Sequence, residues 1–255
     1  MSEKEIATLL QRIEKETGIV LSRQTDRDRI KRYLDNGGEI PSSFAPLNES
    51  LINFVTTNET YFERESHHFD RLINEILPTL DDSFEQTPIR ILSAPCSSGE
   101  ECYTIALRLL LASKRLCRNI EIVGIDISSE MIQKAGLGIY SKRSVHELSQ
   151  EVLSKYFTSV DDAYYKIHIP DGIEMRFVNG NVFDDALWNE LGDFDIIFSR
   201  NMMIYFDGVK NRELLMRFKD HLRGYLIIGH ADDHVNAKNI FTPLRNDRGV
   251  IYCNI

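Results

Sequence analysis

The chain has 255 residues, of which 42% are hydrophobic and 27% charged, and its 30 Lys and Arg against 39 Asp and Glu give a formal net charge of −9. These proportions are typical of a globular protein, and the length suits one principal core with a smaller appended unit. An acidic protein repels a phosphate backbone, so we expect no nucleic-acid partner. The start, MSEKEIATLL, has two glutamates where a secretory signal would have positive charge, and no apolar run approaches the roughly 20 residues that cross a bilayer. We therefore expect a cytoplasmic protein without membrane insertion.

The spacing of cysteine and histidine predicts neither a disulfide nor a metal site. No two cysteines form a CxxC pair, and a reducing cytoplasm keeps thiols from pairing. The adjacent His67 and His68 lack a neighbouring ligand pattern. The cysteines concerned are Cys96, Cys102, Cys117 and Cys253.

Helical periodicity dominates residues 1–78 and predicts an all-helical N-terminal domain. Apolar residues recur at helical spacing between Ile6 and Ile13, and again between Phe69 and Leu77, where Pro78 is expected to end the helix. A further helix is predicted over 25–36.

Beyond a polar linker at 79–88, the pattern changes to short apolar strands that alternate with helices. This alternation predicts an α/β domain over 89–255 with a parallel sheet, which binds ligands at the carboxyl ends of its strands. Two strands flank Pro170-Asp171-Gly172, and we interpret residues of about 160–179 as an inserted antiparallel β-hairpin. A second hairpin is predicted over 240–254.

The loop after the first strand of this sheet, residues 93–101, indicates the kind of ligand. Its small residues and Gly99 let a ligand approach the backbone, but one glycine is not the GxGxxG of an NAD-dependent enzyme. Glu100 and Glu101 oppose a pyrophosphate and suit an ammonium group, although acidic residues also favour any helix N-terminus.

The second strand ends at Asp126, where a carboxylate can accept both hydroxyls of a ribose. The alternative for Asp126 is a helix N-cap. A ribose site without a phosphate cradle indicates a nucleoside, and S-adenosylmethionine is the common nucleoside that also has an ammonium group.

Five segments, in this order and at these separations, resemble the CheR-type chemotaxis-receptor glutamate methyltransferases. That resemblance implies a helical N-terminal domain and an S-adenosylmethionine-dependent, Rossmann-like sheet with a small inserted antiparallel β-subdomain. It further implies S-adenosyl-L-methionine as cofactor, S-adenosyl-L-homocysteine as product, the cytoplasmic domain of a methyl-accepting chemoreceptor as partner, and a monomer. The segments are NETYFERE at 58–65, LSAPCSSGEECYTIAL at 92–107, GIDISSEMIQKAGLGIY at 124–140, FVNGNVFD at 177–184 and IIFSRNMMIYFD at 196–207.

The resemblance also implies roles for single residues. Arg64 and Tyr205 are expected nearest the transferred methyl group. The alternatives are a surface arginine for Arg64 and a core aromatic for Tyr205. Cofactor contacts are expected from Asn58, Thr60, Arg64, Glu101, Asp126, Asn181, Val182, Arg200 and Asn201.

Two departures from the family pattern affect the prediction of activity. Glu63 stands where the family usually has an aromatic residue, and Gly-His-Ala-Asp at 229–232 replaces Gly-His-Ser-Glu. A negative Glu63 that pointed inward would weaken the binding of a substrate carboxylate. The termini are also shorter than is usual in the family. Glu63 and these short termini motivate an alternative function, a non-catalytic module of the same fold that binds S-adenosylmethionine or a receptor.

A basic helical segment contradicts the global charge. The alternative for it is an ordinary solvated helix face. An acidic receptor helix would be steered by such a segment, so we expect substrate docking by Arg27, Arg29, Lys31 and Arg32.

Overall fold

The computed structural model describes residues 3–22, 24–42, 45–81, 87–112, 119–246 and 249–254. Half of the predicted linker (82–86), Cys117 and residues 247–248 of the predicted C-terminal hairpin lie outside these ranges. The helices are α1 (Glu3–Thr17), α2 (Gln24–Asp35), α3 (Glu49–Val55), α4 (His67–Arg71), α5 (Leu77–Asp81), α6 (Glu100–Leu111), α7 (Ser129–Leu137), α8 (Gln150–Tyr156), α9 (Asp185–Leu191), α10 (Gly208–His221) and α11 (His234–Ile240), with a π-helical turn at Leu72–Ile76 and a 3₁₀ turn at Met203–Tyr205. None of the helices described is long and apolar enough to cross a membrane.

A seven-stranded sheet forms the centre of the α/β part, in the order β6-β2-β1-β7-β8-β10-β9. The strands from β6 to β8 run parallel, whereas β10 and β9 pair antiparallel at one edge, which confirms the predicted C-terminal hairpin. The strands of the seven-stranded sheet are β1 (Ile89–Ser93), β2 (Ile120–Asp126), β6 (Ile173–Asn179), β7 (Phe194–Ser199), β8 (Leu222–Ile228), β9 (Thr242–Asn246) and β10 (Gly249–Cys253).

The central strands have continuous rather than alternating apolar runs because helices cover both faces of the sheet. Every residue of β7 is buried, and one buried cluster lies on each face. The parallel strands β1, β2 and β7 therefore end together at one edge, at Ser93, Asp126 and Ser199.

The small antiparallel subdomain exists, but the predicted hairpin at 160–179 is wrong. A separate three-stranded sheet has the order β3-β5-β4, formed by Ile139–Ser141, Tyr164–Ile167 and Phe157–Ser159. The strand after Pro170-Asp171-Gly172, β6, pairs parallel with β2 in the main sheet instead. The turn is real, yet it connects two different sheets, because β6 gains a whole row of parallel partners beside β2.

The helical N-terminal part is smaller than predicted. Helices α1, α2 and α3 share a core of their own, hereafter the helical unit. The segment from α4 to α5 instead packs on the main sheet through Phe69, Leu72, Ile76 and Leu77. The predicted domain boundary at residue 78 therefore marks where helices give way to strands. It does not mark where one packed unit ends and the next begins.

Pro78 does not end its helix, which continues to Asp81, so residues 79–81 of the predicted linker are helical. The π-helical turn at Leu72–Ile76 precedes it and places Pro78 in the first turn of α5. The chain is helical on both sides of Pro78, and the π-helical turn just before it interrupts the regular hydrogen-bond ladder next to the residue that lacks an N–H.

Candidate functional site

A cavity of about 300 Å³ opens at the carboxyl ends of β1, β2, β6 and β7. Its walls combine loops that follow these strands with the C-terminal ends of α1 and α3 and with the segment 56–64. All ten residues predicted to bind cofactor or lie near the transferred methyl line it, namely Asn58, Thr60, Arg64, Glu101, Asp126, Asn181, Val182, Arg200, Asn201 and Tyr205. The rule that ligands bind at strand carboxyl ends thus located the cavity, while the role of each residue stays a prediction.

Asp126 is held at the end of β2 by backbone donors. The N–H of Ser97 donates to one carboxylate oxygen at 2.8 Å, and that of Ser128 to the other at 2.9 Å. Burial raises the pKa of this carboxyl, while the backbone N–H groups oppose that rise. A carboxylate offers about four acceptor positions, so Asp126 keeps capacity for a ribose hydroxyl beyond its backbone donors.

Glu101 lies in the first turn of α6 and is tied to two neighbours. It accepts a hydrogen bond from the Ser93 hydroxyl at 2.7 Å and one from the Arg200 guanidinium at 2.8 Å. Arg200 is only 6% exposed, stacks over the ring of Phe69, and donates also to Glu65 at 2.9 Å. This group of Glu101, Arg200 and Glu65 has one negative charge in excess, which favours a cationic ligand group.

Glu65 was not among the predicted site residues. Burial disfavours its charge, but the hydrogen bond with His230 at 2.6 Å and the Arg200 guanidinium lower its pKa to about 2. Its backbone has a positive φ of 53°, a conformation that a non-glycine residue adopts only when its surroundings fix it. The sequence signal was its place in the segment 58–65, although nothing there indicates its partners.

The segment 56–64 is anchored at both ends beside the cavity. The Ser97 hydroxyl donates to the backbone carbonyl of Asn58 at 3.3 Å, and Phe62 is fully buried in the core of the small subdomain. The Arg64 guanidinium donates to the carbonyl of Glu59 at 2.7 Å and lies over the ring of Tyr61. The Arg64 side chain is therefore fixed in position and faces the cavity, so the alternative of a surface arginine does not describe it.

Glu63 points away from the cavity. Its carboxylate accepts from the Arg108 guanidinium at 2.9 and 3.0 Å, and Arg108 also pairs with Asp70. The concern that Glu63 repels a substrate carboxylate is therefore not supported by its position.

Asn181 connects the sheet to the helical unit. Its side-chain amide donates to the carbonyl of Glu16, near the end of α1, and its oxygen accepts from the N–H of Phe183. Val182, which follows, is buried in the core.

The turn after β7 contains Arg200, Asn201 and Tyr205, and Asp232 fixes it from the loop after β8. The Asp232 carboxylate accepts from the backbone N–H groups of Asn201 and Met203 at 2.6 and 2.9 Å. Tyr205 is half-buried and lines the cavity, so the core-aromatic alternative does not describe it. Asp232 was also missed as a site residue, although it ends the Gly-His-Ala-Asp segment.

The basic helix α2 differs from the prediction at one residue. Arg29 stacks over Phe54 and donates to the backbone carbonyls of Phe54 and Thr56 at 2.6 and 3.4 Å, so it is not available on the outer face. Lys31 and Arg27 pair with Glu3 of α1. Arg32 is exposed.

The residues of the cavity fit S-adenosylmethionine. The carboxylates of Asp126 and Glu101 line the cavity, and a ribose and an ammonium group each require such an acceptor. Ile127 and Val182 offer apolar contacts for a base, and the β1 loop at 94–99 contains no basic residue for a phosphate. Among the described residues no three potential metal ligands come together.

Comparison with known proteins agrees with this geometry. The family described as "CheR methyltransferase, SAM binding domain" matches residues 58–250. The chain is 37% identical over 237 residues to a chemotaxis protein methyltransferase of Campylobacter jejuni, covering 91% of this chain and 85% of that protein. It is 39% identical over 199 residues to chemotaxis protein methyltransferase 2 of Vibrio cholerae, covering 76% and 68% of the two chains. With chemotaxis protein methyltransferase 1 of Pseudomonas aeruginosa the identity is 28% over 259 residues and 94% of each chain. This chain therefore belongs to the CheR methyltransferase family, and its α/β part is the family's S-adenosylmethionine-binding domain.

Proposed function

We propose that the protein is a protein-glutamate O-methyltransferase that converts glutamate side chains of chemoreceptor cytoplasmic helices to methyl esters. The observation that supports this most is the shared cavity of Arg64, Tyr205, Glu101 and Asp126. Two acidic groups there suit the cofactor, and one guanidinium with one phenol suits an incoming carboxylate.

The proposed reaction needs little from the protein in the way of acid or base. A glutamate side chain has a reference pKa of about 4.3, so it is already the anionic nucleophile at neutral pH. Bound S-adenosylmethionine supplies a methyl group activated by its sulfonium. What remains is orientation of the carboxylate and removal of its water.

Arg64 and Tyr205 are proposed to supply that orientation. The guanidinium of Arg64 is limited in motion by the carbonyl of Glu59 and the ring of Tyr61, so binding a carboxylate costs little further ordering. Tyr205 is proposed to donate its phenolic hydrogen to the second carboxylate oxygen. Because charge is cancelled in the transfer, one guanidinium and one neutral donor hold the anion without binding it too tightly.

The alternative, a non-catalytic module that binds S-adenosylmethionine or a receptor, rested on Glu63 and on termini shorter than is usual in the family. The pairing of Glu63 with Arg108 removes the first of these reasons. We further propose that the protein acts as a cytoplasmic monomer on the receptor's cytoplasmic domain.

The test is methyl transfer to a defined acceptor. The purified protein is incubated with methyl-tritiated S-adenosylmethionine and chemoreceptor cytoplasmic fragments of the same organism, and labelled residues are located by mass spectrometry. We expect alkali-labile label on glutamate, and none on a fragment whose labelled glutamates are replaced by alanine. Alkali-stable label would contradict ester formation. Calorimetric binding of the cofactor without any transfer would favour the non-catalytic alternative.

A further inference from the structure

Asp232 is a buried carboxylate outside the cavity whose hydrogen bonds all go to the main chain. It is 7% exposed, and one oxygen accepts from the N–H of Asn201 at 2.6 Å and from that of Gly229 at 2.8 Å. The other oxygen accepts from the N–H of Met203 at 2.9 Å. The carboxylate thus joins the loop after β8 to the turn after β7, two loops at the same edge of the sheet.

The first of these contacts holds a residue in an uncommon conformation. Asn201 has a positive φ of 60°, which a non-glycine residue adopts at a cost unless its surroundings favour it. The hydrogen bond from the Asn201 N–H to Asp232 holds the backbone at this same residue.

Gly229 lacks a Cβ and so leaves space for the Asp232 carboxylate. A Cβ at this position would lie 2.8 Å from an oxygen of Asp232 and 3.2 Å from the backbone nitrogen of Asn201. A glycine here is therefore required by the close approach of the two loops.

The contact with Met203 reaches Tyr205. Met203 begins the short 3₁₀ turn that ends at Tyr205, and a carboxylate on the first N–H of a helical turn satisfies a donor that has no partner within the turn. From the other side, the N–H of Val20 donates to the carbonyl of Tyr205 at 2.9 Å. The turn is thereby held at its first residue by Asp232 and at its last, Tyr205, by the chain that follows α1.

We propose that Asp232 is a positioning residue for methyl transfer, which acts by fixing the turn from Asn201 to Tyr205 so that the Tyr205 phenol meets the substrate carboxylate. This proposal rests on the proposed function. A misplacement of about 1 Å at a reacting group costs as much as 100-fold in rate, so a single anchor of this kind has a measurable effect.

A neighbouring aspartate provides the matched control. Asp233 is the N-cap of α11 and accepts from the N–H of Asn236 at 2.9 Å, and it also bonds the amide of Asn211 in α10. It therefore stabilises the packing of α10 and α11 but does not contact the turn that contains Tyr205. Replacing either aspartate by asparagine removes one anionic cap while keeping the side-chain size.

The experiment compares Asp232→Asn with Asp233→Asn in the full chain. Melting temperature, cofactor affinity by calorimetry, and kcat at saturating cofactor and receptor fragment are measured for each. We expect both variants to melt at lower temperature, but only Asp232→Asn to lose kcat, by roughly ten-fold or more per folded molecule. Equal kcat in the two variants would overturn the proposal.

Two further variants keep the test decisive. If Asp232→Asn does not fold, Gly229→Ala displaces the same carboxylate without removing it, and we expect a similar loss of kcat. A parental kcat in Gly229→Ala would then overturn the proposal.

If Asp232→Asn folds, it is combined with Tyr205→Phe. We expect the double variant to be little slower than the slower single variant, because both changes remove one positioned phenol. Fully additive losses would show that Asp232 does not act through Tyr205.

Absence of transfer by the parental protein would refute the proposed function instead. Failure of the proposed function is thereby distinguished from failure of the proposal for Asp232.

Discussion

Arg200 joins two carboxylates from distant parts of the chain, with 2.9 Å to Glu65 and 2.8 Å to Glu101. Both carboxylates are needed to leave the group with a net negative charge, which we propose binds the ammonium group of the cofactor. We expect Glu65→Gln, which makes the group neutral, to lower the affinity for S-adenosylmethionine by roughly ten-fold, or about 1.4 kcal/mol. Calorimetric titration measures it.

The control for that prediction is Glu63→Gln. This variant breaks an ion pair of similar geometry with Arg108, but on the side away from the cavity. Its cofactor affinity should match that of the parent. If Glu65→Gln also binds like the parent, the excess charge does not contribute to binding.

The two cavity carboxylates should matter individually. Replacing either Asp126 or Glu101 by alanine removes a charge-assisted acceptor and should cost about 1.5 to 3 kcal/mol, or roughly 10- to 150-fold in affinity for S-adenosylmethionine or S-adenosylhomocysteine. Titration of both ligands checks this. Parental affinity in both variants would mean that the cofactor lies elsewhere in the cavity.

Arg64 and Tyr205 should affect turnover more than folding. We expect Arg64→Ala and Tyr205→Phe to melt close to the parental temperature while methyl transfer falls roughly ten- to a thousand-fold, the scale of one or two lost positioning contacts. Kinetics with receptor fragments and thermal melts of the same preparations measure both effects. A large drop in melting temperature for Tyr205→Phe would instead assign this tyrosine to the core.

Acid should destabilise the protein in two stages. Burial, with repulsion from Arg200, lowers the pKa of His68 from its usual 6.5 to about 3. Between these values the unfolded chain binds a proton that the folded protein does not, so stability falls as the pH falls from about 6.5. Glu65, with its pKa lowered from 4.5 to about 2, adds a second loss below about pH 4.5.

Urea unfolding midpoints between pH 8 and pH 3 measure this dependence. His68→Phe should flatten the curve between about pH 6.5 and pH 4.5, where Glu65 does not yet titrate in the unfolded chain. An unchanged slope in that interval would mean that another group is responsible.

Receptor docking by α2 should now be tested at Arg32. This residue is exposed, whereas Arg29 holds the carbonyls of Phe54 and Thr56. We expect Arg32→Glu to raise the apparent KM for receptor and to weaken its dependence on salt, because exposed charges are screened within about 8 to 10 Å. Arg29→Glu should lower the melting temperature in addition to any effect on the KM for receptor. Unchanged KM and salt dependence in Arg32→Glu would exclude a docking role for this residue.

The sequence predicts most of the main sheet because its strands are apolar runs with helices between them. Asp126 and Glu101 could be predicted because one ends the second strand and the other begins the helix after the first strand, two positions at the carboxyl edge of a parallel sheet, and because the family resemblance implied a role for each. The pairing of β6 could not, because a Pro-Asp-Gly turn indicates where a chain reverses but not which strand the next segment joins.

Glu65 and Asp232 were missed for a related reason. Glu65 and His230 are 165 residues apart, and Asp232 bonds a turn 31 residues earlier, so no local pattern predicts either contact. Local charge also suggested that Arg29 faces outward, while its stacking on Phe54 depends on how α2 packs against α3.

The ends of α1 and α3 form part of the cavity wall through Thr17, Ile19 and Val55. The helical unit is therefore part of the proposed cofactor site, since Val55 packs in the core shared with α2 and also lines the cavity. We expect a truncated chain that begins after α3 to lose both cofactor binding and receptor docking. Conversely, we expect cofactor binding to stiffen the helical unit, so that the docking surface proposed on α2 is most ordered in the cofactor-bound protein.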